Sequence, residues 1–349
     1  MRLPRRALLS LALGAAAMTA TAGSSDAVSP APRPSTAPRT LADSSVPLVL
    51  GAYSQGMDKD PTVLDRTASA LGRPLAVASV FRGKGDDAWW PYPADRTLGM
   101  RRTLLVAWSL EDYGSYAWWA SGQGDAVLRD KARTLRAYGR PVVLRPWAEM
   151  NADWVAHQVT TGTPKPAGGS PEQFRAAWRR AVDIFRHEGA TNVRWAFNPT
   201  TDTYAGTSDV RAFYPGDDVV DVLGLDGYNW GTTATTDLGW RAFDDVYAAQ
   251  YARLVGLAPT KPVWLCEISS ADPASAGVSA VRATAPAGQT KGLWWQDTFA
   301  HLRTGYRNVQ AVVVFDVDKE RDWRVASSAE ALRGLRTAVS SPIYKPRLG

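Results

Sequence analysis

Cysteine is almost absent: Cys266 is the only one in 349 residues, so the chain can form no internal disulfide. Histidine is nearly as scarce. His157, His187 and His301 lie far apart, and none has ligand spacing with a second His or a Cys, which speaks against a metal site. No G-x-S-x-G elbow is present to support a Ser-His-Asp hydrolase. No G-x-G-x-x-G follows an early strand, which argues against a dinucleotide fold. A basic stripe is missing too. Positive residues lie singly beside acids, as in Asp130-Lys131 and Lys319-Glu320-Arg321-Asp322, the pattern of a solvated surface and not of a nucleic-acid interface.

One apolar stretch stands out, residues 7–22, and it is too short and wrongly flanked to span a membrane, which takes about 20 apolar residues. Arg2, Arg5 and Arg6 precede it, and Ala20-Thr21-Ala22 closes it with a small-x-small cleavage pattern. This is the layout of a secretory signal peptide, so residues 1–22 are expected to be removed and the protein secreted to the extracellular side. No Cys follows to carry a lipid anchor, and Arg5-Arg6 is compatible with either general or twin-arginine export. The formal charge is +6, and the three leader arginines account for half of it, leaving +3. Residues 23–45, with "SPAPRPSTAPRT", are rich in Ser, Pro and Ala and bury too little to fold, which makes them a flexible linker. Residues 46–349 form the folded domain, expected to be a monomer with no cofactor; with 45% hydrophobic residues in the chain, it can build its core without disulfides.

That region contains eight short, continuous apolar runs. They are "VPLVLGAY" from Val46, "LAVASVF" from Leu75, "TLLVAWSL" from Thr103, "PVVLRPW" from Pro141, "VRWAFNP" from Val193, "VVDVLGLDGY" from Val219, "KPVWLCE" from Lys261 and "VQAVVVFD" from Val309. Continuous rather than alternating runs suit parallel strands covered on both faces. Segments of helical spacing lie between them: "DAVLRDKARTLRAYG" stops at Gly139, and "SPEQFRAAWRRAVDIFRHEG" opens with Ser170 and Pro171 and stops at Gly189. Residues 82–102 show no amphipathic pattern and read as a long loop. Eight strands alternating with helices favour a (β/α)₈ TIM barrel over a doubly wound sheet.

In such a barrel the chemistry sits where strands end. Glu149 closes the fourth run and Glu267 the seventh; Asp226 and Tyr228 close the sixth and Asp316 the eighth. Two acids on separate strand ends facing one mouth are what a carboxylate-pair glycosidase needs. In "RPWAEMNADW" Glu149 stands among Trp147, Met150 and Trp154, and a carboxylate amid apolar surface resists ionising. Arg145 is four residues back, about 13 Å along a strand, so it is expected to support the wall of the site and not to pair with Glu149. Of the fifteen tryptophans, Trp89-Trp90, Trp118-Trp119, Trp154, Trp230 and Trp323 fall on loops after strands, where flat rings can stack on sugar faces. Trp178, Trp195 and Trp264 read as packing residues. Strict alternation turns Trp264 and Cys266 toward the helices, opposite Glu267, which leaves Cys266 a buried thiol.

These segments resemble glycoside hydrolase family 26, the β-mannanase family of the retaining (β/α)₈ glycosidase clan. "RPWAEMNADW" resembles its fourth-strand motif, and "YPGDDVVDVLGLDGYNW" is similar to its sixth-strand segment. "KPVWLCEISS" looks like the seventh, and "FDVDKERDWRV" like the end of the eighth. The resemblance implies Glu149 as acid/base, Glu267 as nucleophile, Tyr228 as the tyrosine that holds it, and Trp154 as a lining of the sugar site. Asn151, Arg145, Trp230 and Trp108 complete the expected substrate contacts. Two positions depart from the pattern: Ala148 stands where the family usually has His beside the reacting sugar, and Phe315 where Trp is common. The implied activity is secreted endo-hydrolysis of a β-linked polysaccharide, β-mannan first. β-Glucan, xylan, a bacterial exopolysaccharide, or a non-catalytic carbohydrate-binding barrel are the alternatives.

Overall fold

Eight parallel strands pair in sequence order and close on themselves. β1 (Val49–Ser54), β2 (Val77–Arg82), β3 (Thr103–Trp108), β4 (Val142–Pro146), β5 (Val193–Phe197), β6 (Val222–Asn229), β7 (Val263–Ser270) and β8 (Val309–Asp316) form one barrel, with β8 paired back to β1. The structure is a computed structural model and describes residues 48–86, 90–152, 169–203, 209–231, 239–273, 285–340 and 345. The expected eight runs are the eight strands, and the fold is the (β/α)₈ barrel read from them.

Strand parity separates two apolar layers. Val49, Val77, Leu105, Val143, Ala196, Val222, Trp264, Cys266, Ala311 and Val313 cluster inside the barrel. The alternate residues, such as Leu50, Val80, Val106, Leu144 and Leu265, join the larger core shared with the helices. Trp178 and Trp195 pack in that outer layer, ring centroids 5.9 Å apart.

The helices follow their end signals. α1 (Thr62–Leu71) stops at Gly72, which takes the left-handed conformation at φ 67°. A short α2 (Pro93–Gly99) lies in the segment expected to be a loop. Seven residues with Pro at the first position and three polar side chains give too little periodicity to register as a helix. α3 (Tyr116–Ala120) and α4 (Asp125–Tyr138) come next, and α4 ends at Gly139 as expected. In α5 (Pro171–His187) the Ser170 hydroxyl accepts from Gln173 N while the Gln173 side chain accepts from Ser170 N, a reciprocal cap. Its buried face, Phe174, Ala177, Trp178, Ala181, Val182 and Phe185, has the spacing of one helical stripe. α6 (Val210–Phe213), α7 (Phe243–Leu257), α8 (Lys291–Gly305) and α9 (Ala329–Ala338) complete the ring. No helix among the described residues is long and apolar enough to cross a membrane.

Candidate active site

β4 ends at Pro146, and the chain then turns sharply. Trp147 (φ 49°) and Glu149 (φ 59°) both adopt the left-handed conformation, which costs a non-glycine residue on the order of 1 kcal/mol or more. Several ties offset that strain. Trp147 N donates to Trp108 O on β3 (3.3 Å), and Glu149 N donates to Asn198 O beyond β5 (2.7 Å). The Trp147 ring is fully buried against Tyr116, Trp119 and Phe174, an aromatic anchor between α3 and α5. Glu149 is thereby fixed on a turn tied to the strands on either side of β4, and is itself half-buried.

Glu267 reaches the same mouth because β7 is irregular. The pairing of β6 with β7 slips between Leu225 and Asp226, and that of β7 with β8 between Leu265 and Ile268. Cys266 lies in the barrel interior while its neighbour Glu267 bonds to inward-facing partners, so two consecutive residues serve the inner face. An extra residue in a bulge resets alternation in this way. This corrects the expected orientation: Trp264 and Cys266 face the barrel axis, not the helices. Burial, with the charge of Asp226 next, pushes the Cys266 thiol far above its ordinary value and leaves it inert.

Both oxygens of Glu267 are held. Arg145 donates Nη2 to Oε1, and the Tyr228 hydroxyl donates to Oε2. Arg145, fully buried, also donates Nη1 to Asp226 Oδ2 at 2.7 Å. Burial works against the charge of the Arg145 guanidinium, but Asp226 and Glu267 outweigh it and hold the group above its ordinary value. Burial pushes the Tyr228 hydroxyl well up, reinforced by the charges of Glu267 and Asp226, so it remains a donor at any working pH. Burial likewise pushes the Asp226 carboxyl well up, opposed by Arg145 and assisted by Glu267 and Glu149. The charge of Glu149 bears on both Tyr228 and Asp226, so it converges on the surroundings of Glu267. The arrangement can orient the Glu267 carboxylate rigidly, with the charge of Glu149 acting on the same surroundings.

Aromatic rings line the mouth above these acids. Tyr53 stacks on Phe315 at 5.7 Å and meets the edge of Phe81 at 4.9 Å, while Phe81 covers the Arg145 guanidinium at 5.3 Å. Opposite them, Tyr228 contacts Phe315, Trp323 and Trp230. The Tyr53 hydroxyl donates to Asp58 (3.0 Å), Asp58 accepts from Arg82 (3.3 Å), and Arg82 is locked by the buried Asp95. Tyr53, Phe81 and Asp58 were not among the expected site residues. The signal for Tyr53 and Phe81 was the inward parity of strand-end aromatics on β1 and β2, which carry no acid to draw attention; Asp58, four residues past β1, carried none.

The family described as glycosyl hydrolase family 26 matches residues 112–265, a stretch that includes Glu149, Asp226 and Tyr228 and stops two residues before Glu267. Endoglucanase H of Acetivibrio thermocellus is 32% identical over 300 residues, covering 86% of this chain and 31% of that protein. The chain belongs to glycosyl hydrolase family 26. A mannan endo-1,4-beta-mannosidase of Bifidobacterium adolescentis is 29% identical over 141 residues, 40% of this chain and 13% of that protein. The chain thus spans under a third of the length of either relative. Among solved structures, a modular endo-beta-1,4-mannanase from Cellulomonas fimi superposes with a TM-score of 0.61 at 19% identity, covering 86% of this chain and 72% of that one. At that identity the likeness speaks for the fold alone.

Within the family 26 barrel, the expected site residues separate. Glu149, Glu267, Tyr228 and Arg145 share one mouth, and Trp230 stands half-buried at its rim. Trp108 does not join them: it is 1% exposed and packs outward on Trp90 and Phe185, on the same strand face as Leu104 and Val106. Asn151 is buried as well. Its Oδ1 accepts from Thr200 N (2.9 Å), and its Nδ2 donates to Thr200 O (3.0 Å) and Asp202 O (3.3 Å), so it ties two loops together and has no amide left for a sugar. Trp154 lies outside the described residues, as does Trp89. Trp323 sits beneath the rim at 1% exposure and supports other rings; it offers no open face. Asp316 points away from the mouth, accepting from Thr67 (3.2 Å) and Val325 N (2.8 Å). Among the described residues no cluster of His, Cys, Asp and Glu could hold a metal ion.

Proposed function

We propose that this chain is a secreted, retaining β-glycosidase that cleaves within a β-linked polysaccharide. The observation that carries the reading is the Glu267 carboxylate, gripped at both oxygens by Arg145 and Tyr228 in the mouth that Glu149 enters. An attacking carboxylate must hold its orientation, whereas a proton carrier must move between roles. In the first step a Glu267 oxygen bonds the anomeric carbon while Glu149, protonated, gives its proton to the departing glycosidic oxygen. In the second, Glu149 takes a proton from water as that water attacks the same carbon and frees Glu267. Tyr53, Phe81, Phe315 and Trp230 offer apolar faces to sugar rings, and Asp58 offers acceptor oxygens to their hydroxyls.

β-Mannan is the first substrate by family. A β-glucan is the second reading, favoured by one residue: Ala148, half-buried beside Glu149, presents no hydrogen-bonding side chain where the family usually has His. The 32% identity to a protein named an endoglucanase supports the same reading. Export rests on the basic start and the Ala20-Thr21-Ala22 pattern. The test is reducing-end release from soluble β-mannan, β-glucan and xylan. Turnover of at least one is expected, with products of several sugars before single sugars. Binding without release would mean a carbohydrate-binding barrel instead.

A further inference from the structure

Lys291 is the first residue of α8, with no exposed surface. Both facts are unfavourable to it. A helix N-terminus repels cations, and a buried ammonium loses its water. Its three partners are all on the loop between β8 and α9: Asp322 O (3.0 Å), Arg324 O (2.8 Å) and the Ser327 hydroxyl (3.1 Å). An ammonium has three N–H donors, and here each has one acceptor. None of the three is a carboxylate, so the cation serves as a clamp and not as half of an ion pair.

The clamp brackets one side chain. Asp322 and Arg324 flank Trp323, whose carbonyl also accepts from Ser269 on β7 (2.8 Å). The Trp323 ring packs against Tyr228 at 4.9 Å and against Trp230 at 5.2 Å. Tyr228 is the residue whose hydroxyl holds Glu267 Oε2. We propose that Lys291 is a positioning residue: its ammonium fixes the loop on both sides of Trp323, and Trp323 holds the Tyr228 ring where its hydroxyl reaches Glu267. The inference rests on Glu267 being the nucleophile. It gives a role to a cation in a place that solvation and the helix dipole both disfavour.

The test is a kinetic double-mutant cycle between Lys291→Met and Tyr228→Phe, read on the best polysaccharide of the panel. Lys291→Met keeps an unbranched side chain as far as the ε position and removes every donor. Its kcat should fall by between about tenfold and a hundredfold, the scale produced by a misplacement of about 1 Å, with KM within twofold. In the Tyr228→Phe background the same substitution should change kcat by less than twofold, because the hydroxyl it positions is already gone. Should Lys291→Met not fold, Ser327→Ala removes one acceptor and leaves the ammonium; its smaller loss should vanish in the same background. Losses that multiply, or a Lys291→Met enzyme as active as the wild type, would overturn the inference. Failure of the underlying catalytic reading looks different: the wild type itself would release no sugar.

Discussion

At the scale of the residue, the site is one carboxylate with two fixed donors and a second carboxylate on a strained turn. Glu149 and Glu267 were legible because each is the acid at the end of an apolar run and each falls in a segment that resembles a family motif, although Glu149 lies in the turn after β4 and Glu267 within β7. Their partners were harder to read. Arg145 meets Glu267 across 122 positions of sequence, and only barrel closure brings the two together. The expectation that Arg145 avoids Glu149 was correct in direction, but its true partners, Asp226 and Glu267, carry no local spacing signal. Trp147 was expected beside the Glu149 carboxylate and instead anchors the turn from below. Tyr228 permits a sharp prediction. A hydrogen bond to a charged group is worth about 1.5–3 kcal/mol, so Tyr228→Phe should lower kcat by about ten- to a hundredfold. The melting temperature should stay within a few degrees, because the ring remains packed on Trp323 and Phe315. A loss below twofold would remove Tyr228 from the account.

At the scale of the element, the strands and the caps of α4 and α5 followed from apolar runs, Ser170 and the terminal glycines. The errors arose where local rules fail. α2 is too short for its period to register, and the slip in β7 turns two neighbours, Cys266 and Glu267, to one side, which alternation forbids. α8 carries the clearest pH consequence. Burial lowers the Lys291 pKa from 10.5 to about 8, against the opposing pull of Asp272, Asp322 and Asp316, with Arg324 acting in the same direction as burial. Because the folded value lies below the unfolded one, the unfolded chain binds more protons between these limits, and stability from this group rises as pH increases from about 8 to 10.5. Relative to Lys291→Met, whose side chain does not titrate, the wild type should therefore gain up to about 3 kcal/mol of unfolding free energy across that range. Denaturant titrations of both proteins at pH 7.5 and about 10.5 measure the difference. A gap that stays constant with pH would mean that Lys291 titrates as an exposed lysine does.

At the scale of the whole molecule, a barrel gathers residues from distant parts of the chain onto one rim: Glu149 from the turn after β4, Asp226 and Tyr228 from β6, Glu267 from β7 and the aromatic walls from β1, β2 and β8. The order of the runs was enough to read that architecture, since parallel strands buried on both faces leave a continuous apolar trace. The walls were less legible because a tryptophan in sequence does not reveal which face it takes; Trp108 and Trp323 are buried while Phe81, unremarked, is 37% exposed at the mouth. The division of labour between the two acids can be read in a single measurement. Glu149→Ala is incubated with a dinitrophenyl β-glycoside of the preferred sugar, whose leaving group needs no proton, and the protein is then weighed intact and after digestion. With Glu267 as the nucleophile, a burst of dinitrophenol and one glycosyl unit added per chain are expected, on the peptide that contains Glu267. No adduct, or an adduct on any other residue, would contradict that assignment.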